Sequence, residues 1–180
     1  AANIHENQIF VKLLDMQNVS FDVELSQNVG EIKEMIEDEC GLELPKQLLY
    51  FNDTQLSDNF KPLSFYGIVD KIQLTLKLKI FVKTSPQEKR QVNIELALEP
   101  MTTIDKLKAA ILNETSISPN LQLLAWKRKS LDNDKRTLFD YGIPSGSTLL
   151  LSPTPLAPED GVKWYIVHEN FEANSKASFN

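Results

Sequence analysis

The chain is short of most residues that carry chemistry or covalent scaffolding. One cysteine, Cys40, stands among 180 residues, so no internal disulfide can form and no cysteine-rich zinc site can assemble. Histidine occurs only as His5 and His168, both near the termini. A cysteine nucleophile needs a base within hydrogen-bond reach, and neither histidine lies in the sequence around Cys40. The six glycines are scattered, which leaves no glycine-rich loop to cradle a phosphate. No stretch approaches the roughly 18 apolar residues of a membrane helix, and no basic-then-apolar signal segment opens the chain. No catalytic residue, cofactor, metal or small-molecule substrate is therefore expected, nor a membrane span. The chain starts at Ala1 without methionine, as removal of an organelle-targeting segment or trimming would leave it. An intracellular, soluble protein of cytoplasm, nucleus or mitochondrion is expected.

Charge excludes a further class and points to an uneven surface. The net charge is −6, which disfavours nucleic acid as the default partner. It is not evenly spread: residues 7–79 hold seven basic and twelve acidic side chains, whereas residues 80–151 hold ten basic and eight acidic ones. The two stretches present different faces to partners.

What is present is a repeat. Gln8-Ile-Phe-Val-Lys12 recurs as Lys79-Ile-Phe-Val-Lys83, 71 residues on. Leu48-Leu-Tyr-Phe51 recurs as Leu123-Leu-Ala-Trp126, and Leu63-Ser-Phe-Tyr-Gly-Ile68 as Leu138-Phe-Asp-Tyr-Gly-Ile143, both 75 residues on. The extra residues are expected near Gln87–Gln91. Within each repeat the periodicity is that of ββαββ. Val19, Phe21, Val23 and Leu25 alternate as a half-buried strand, after a turn at Asp15-Met-Gln-Asn18. Val29, Ile32 and Ile36 form one helical face, with Asn28 and Glu31 spaced as a capping box and Gly41 placed to end the helix left-handed. Leu48–Phe51 and the alternating Ile72, Leu74, Leu76 and Leu78 complete the sheet. The second repeat follows with Ile94, Leu96 and Leu98, the helical stripe Ile104, Leu107 and Ile111, the strand around Leu123, Leu124 and Trp126, and Thr148–Leu151.

With these landmarks in order, and with Pro45-x-Gln47 and Arg136-Thr-Leu-x-Asp-Tyr141 among them, the stretch from about Asn7 to Leu151 resembles the ubiquitin family in tandem. The resemblance implies an α+β fold of two β-grasp ubiquitin-like domains, each a mixed sheet on one helix, plus a C-terminal extension. The expected division is 1–6 as an N-terminal extension, 7–79 and 80–151 as the two domains, and 152–180 as a proline-rich linker and docking segment. Tyr66 and Tyr141 would close a loop onto nearby backbone. The family's conjugated members end in diglycine, but Lys77-Leu-Lys79 runs straight into Ile80, and no glycine pair follows Leu151. Neither unit is therefore expected to be conjugated. The absence of Gly, Pro or Ser at that join predicts a stiff junction.

The resemblance also places the family's apolar recognition patch at Leu14, Tyr50, Thr75 and Lys77, of which Leu14 alone keeps the family's residue. In the second unit Ala125, Leu150 and Ser152 stand there. Lysine positions used for chain linkage are occupied by Thr54, Asp70 and Ser145, while Lys129 matches. Tyr50 is a candidate anchor, since tyrosine is enriched at interface hot spots. Lys127 and Arg128 beside Trp126, with Lys135, Arg136 and the pair Lys89-Arg90, are candidates for a basic patch toward an acidic protein. Trp164, Tyr165, Ile166 and Val167, beyond the second repeat, would need to be covered, and a partner's surface is the expected cover. The function expected is that of a non-catalytic interaction module or accessory subunit of a larger assembly. The alternative is a modifier or adaptor read by the ubiquitin–proteasome system.

Overall fold

The structure, a computed structural model, describes residues 6–154. In the first unit, β1 (Asn7–Lys12) and β2 (Asn18–Val23) pair antiparallel, with Ile9 opposite Phe21 and Val11 opposite Val19. The turn between them closes where the Leu13 N–H donates to the Gln17 carbonyl at 2.8 Å. Helix α1 (Val29–Cys40) opens on the expected capping box: Asn28 Oδ1 accepts the Glu31 N–H at 2.9 Å, and Glu31 Oε2 accepts the Asn28 N–H at 2.8 Å. Gly41 ends it at φ 75°, ψ 8°, a conformation that strains any residue with a Cβ. The helix buries Val29, Ile32 and Ile36 completely against the sheet, each burial contributing roughly 1.5–3 kcal/mol. A 3-10 turn at Leu44–Lys46 leads into β3 (Leu48–Phe51), which pairs with the short β4 (Thr54–Gln55) and with β5 (Gln73–Thr84). β1 lies parallel on the other side of β5.

The second unit is assembled the same way from β5 onward. β6 (Asn93–Leu98) returns antiparallel to β5, followed by α2 (Ile104–Thr115), β7 (Gln122–Trp126), the short β8 (Lys129–Ser130), the one-turn helix α3 (Leu138–Tyr141) and β9 (Ser147–Pro153). β9 runs parallel to β5 and antiparallel to β7. The single turn of α3 is too short to show periodicity in the sequence. Its capping box, Thr137 with Asp140, was the legible signal. The connection 85–92 is longer than its counterpart 13–17, which is where the repeat's extra residues were expected.

Each unit has its own apolar cluster. One gathers Ile9, Val11, Ile32, Ile36, Leu49 and Leu74, the other Ile80, Val82, Leu107, Ile111, Leu149 and Leu151. The same polar cross-braces recur in both. Gln47 Nε2 donates to the Lys33 and Leu42 carbonyls, and Gln122 Nε2 to those of Lys108 and Ile117, tying each helix to the loop beyond it. The Tyr66 and Tyr141 hydroxyls accept the N–H groups of Asp58 (3.2 Å) and Asn133 (3.3 Å), as the resemblance implied. Among the described residues no helix is long and apolar enough to cross a membrane.

The join has no linker at all. β5 is one strand of 12 residues that closes the first sheet and opens the second. Its even-numbered residues, Leu74 through Thr84, are buried without a break, and its odd-numbered residues face outward. Beside it, the Ser145 hydroxyl donates to the Lys46 carbonyl at 2.7 Å and accepts the Lys79 N–H at 2.9 Å. The Gly146 N–H donates to the Lys79 carbonyl at 2.7 Å. Leu14 packs against both apolar clusters.

Candidate protein-recognition surface

Pairing partners in a sheet lie on one face, so the registers assemble the outward surface residue by residue. Around β5 that face carries Lys12 opposite Thr75, Tyr50 also opposite Thr75, Leu48, itself buried, opposite Lys77, Glu95 opposite Phe81, and Leu150 opposite Lys83. In the second unit it continues through Ala125, opposite Leu150, and Leu123, opposite Ser152. Leu150 is 44% exposed and Leu123 36%.

Tyr50 is half-buried there. The Lys77 ammonium lies 4.3 Å from its ring centroid, and its hydroxyl is 3.4 Å from Gln55 Oε1. Burial pushes the Tyr50 phenol above its ordinary pKa, and the Glu95 carboxylate, from the second unit, adds to the rise. A residue of one unit is thus felt electrostatically by the other. Leu14 is half-buried there and packs against both of the chain's own apolar clusters.

The basic candidates divide. Lys127 and Arg128 form the two-residue turn between β7 and β8, both exposed, at φ 47° and 67°. Lysine and arginine are not residues that favour this region, whereas Asn52 holds the corresponding place in the first unit at φ 53°. Lys127 reaches over Trp126 at 5.0 Å, and Lys129 and Arg136 lie over the Tyr141 ring at 5.4 and 4.6 Å. Lys135 is drawn toward Asp105 at 3.7 Å. Arg90 lies elsewhere, its guanidinium donating to the Thr115 carbonyl at the end of α2, so the pair Lys89-Arg90 does not join this group. Trp164, Tyr165, Ile166 and Val167 lie outside the described residues.

One feature escaped the sequence reading altogether. Phe60, beyond the β4 strand, is 90% exposed, and Phe65 projects beside it in sequence with Lys61 over its ring at 4.8 Å. No periodicity marks a loop residue, so only the fold could reveal it.

A pair of mixed sheets, each closed over one helix and fused along a common strand, defines a tandem β-grasp protein. The family model described as "Ubiquitin family" matches residues 9–79 and again 80–155, and the chain belongs to that family. It is similar to proteins named Ubiquitin D. The one from Rattus norvegicus is 29% identical over 143 residues, 74% of this chain and 87% of that protein. The one from Homo sapiens is 27% identical over 153 residues, 80% of this chain and 91% of that protein. The Mus musculus protein is 27% identical over 143 residues. Proteins of this kind act through contacts with other proteins, and the chain is not an enzyme.

Proposed function

We propose that the chain is a rigid two-unit recognition module, an accessory part of a larger protein assembly, that offers partners one continuous sheet face in place of two independent ubiquitin-like surfaces. The observation that carries this reading is β5, which has no residue to spare between the pairing of Lys77 with the first unit and of Leu78 with the second. The Ser145 bridge and the placement of Leu14 support the same relation. The interior end of the first unit supports a non-conjugated role for it: its last strand continues as the next unit's first, leaving no tail for an activating enzyme to grip. The division of the chain into domains 7–79 and 80–151 belongs to this reading.

The test is a six-residue Gly/Ser insertion between Lys77 and Leu78 of the full chain. Both units should keep dispersed amide spectra, while partners that co-purify with the native chain are lost. Undiminished capture by the inserted variant would overturn the rigid-module reading. The likeness to proteins named Ubiquitin D favours a second reading, in which receptors or enzymes of the ubiquitin system recognise the chain. A thioester formed with a ubiquitin-type activating enzyme would decide for it.

A further inference from the structure

The outward residues of β5 alternate charge and ring. Lys77 leans on Tyr50 at 4.3 Å, and Lys79 and Lys83 approach Phe81 from either side along the strand, each ammonium 5.8 Å from its centroid. Lys79 is already engaged, 3.8 Å from Glu95 and donating to the Pro45 carbonyl at 3.1 Å. Lys12, Lys77 and Lys83 have no ion pair among the described residues. Three uncompensated cations and two rings thus lie along one face of a chain whose net charge is −6. From Lys77 to Lys83 the stripe runs about 20 Å, at roughly 3.3 Å per residue. It ends at the exposed Leu150.

We infer that this stripe binds an extended acidic segment of a partner protein; the inference rests on the two-unit reading and names the partner's chemistry. A broad acidic surface would bring its charges within a Debye length, about 8–10 Å, of this chain's own carboxylates and be repelled. A single extended strand touches the stripe alone. Its side chains on one face recur at about 6.6 Å, the spacing of the outward positions of β5, so carboxylates at the first and fourth facing positions meet Lys77 and Lys83 while an uncharged residue at the third lies over Phe81 and Glu95. A nucleic-acid strand lacks that option. Every linkage carries a charge, and one would face Glu95 in the middle of the stripe.

The probe is a capped synthetic peptide of about ten residues, long enough to span the stripe, with Glu at its second and eighth positions, Val at its fourth and sixth and Thr elsewhere, added to the isotope-labelled full chain. Saturable amide shifts centred on Lys77, Phe81 and Lys83 are expected, with affinity falling steeply as salt is raised. Lys77→Glu with Lys83→Glu should weaken binding about tenfold or more. Lys106→Glu, exposed on α2 behind the sheet, should leave it unchanged. Should the double variant misfold, the salt dependence of the unmodified chain still decides: salt-independent binding overturns the proposal. So do shifts centred off the stripe, equal affinity in a folded double variant, or tighter binding of a uridine decamer. Peptide binding that appears only after removal of residues 155–180 would assign the stripe to the chain's own C-terminal segment and overturn it too. The two readings fail separately. Partner capture surviving the Gly/Ser insertion sinks the rigid module whatever the peptide does, and unchanged affinity in the charge-reversed chain sinks the stripe whatever the insertion does.

Discussion

Replacing Ser145 by alanine tests the join between the units with a single atom. Ser145 is 6% exposed, and its hydroxyl donates across the join to the Lys46 carbonyl at 2.7 Å while accepting the N–H of Lys79, on the shared strand, at 2.9 Å. Each such bond contributes about 0.5–1.5 kcal/mol net, and a polar group left orphaned away from water costs about 1–3 kcal/mol. Lys46 is an exposed residue whose carbonyl water can reach, so the larger penalty falls on the Lys79 amide. Ser145→Ala should therefore cost about 2 kcal/mol, near 4–8 °C in melting temperature for a chain of this size. Urea unfolding gives the stability. Hydrogen exchange localises it, with the Lys79 amide exchanging about tenfold faster or more. Ser147→Ala is the control, because that hydroxyl donates only to the Pro144 carbonyl, three residues back in the same exposed turn. In the unmodified chain one alignment tensor should fit the residual dipolar couplings of both units. If the couplings need two tensors, or if Lys79 exchange and stability are unchanged within about 0.5 kcal/mol in Ser145→Ala, the reasoning about the join is refuted.

Tyr66→Phe and Tyr141→Phe each remove one bond to a backbone N–H and should cost about 0.5–1.5 kcal/mol by denaturant titration; no loss in either would show the loop closures to be idle. Lys127→Asn with Arg128→Gly puts left-handed formers into a left-handed turn and should stabilise the chain by about 1 kcal/mol, which a lowered unfolding midpoint would contradict. Burial, and then the nearby charge of Lys79, hold the Lys33 ammonium below its ordinary pKa of 10.5. Between that lowered value and 10.5 the unfolded chain binds more protons than the folded one, so stability rises with pH across the window. Lys33→Met should flatten the rise, and Asn59→Asp should do so by supplying the carboxylate that Lys108 has in Asp134 at 3.0 Å. A rise that survives both substitutions would refute the assignment.

The elements that could be read in advance are those whose determinants lie close along the chain. Asn28 and Glu31 are three residues apart, Gly41 follows the last apolar turn of its helix, and the alternation of β5 needs no knowledge of its neighbours. The tandem β-grasp fold followed from these local signals and their recurrence. The recognition surface depends on contacts of another range. Ser145 and Lys46 are separated by 99 residues, and nothing about a serine before a glycine announces that it will bridge two units. Leu14 shows the same limit from the other side. As an apolar residue at the expected patch position it reads as a binding residue, and nothing beside it in sequence tells that it also packs against a second core.

The uninterrupted β5 also changes what the departures from the family patch mean. Judged unit by unit, Tyr50 and Lys77 in place of aliphatic residues are losses, since each removes apolar area from a small surface. Judged along the shared strand, they are the first members of a series that continues through Lys79, Phe81 and Lys83 into the second unit. A flexible linker would have broken that series, because its halves would tumble independently and an extended ligand could not stay in register with both. Continuity of the strand and continuity of the stripe are therefore one requirement. Inserting residues at Lys77–Leu78 should abolish the second together with the first, even though every lysine and ring is kept.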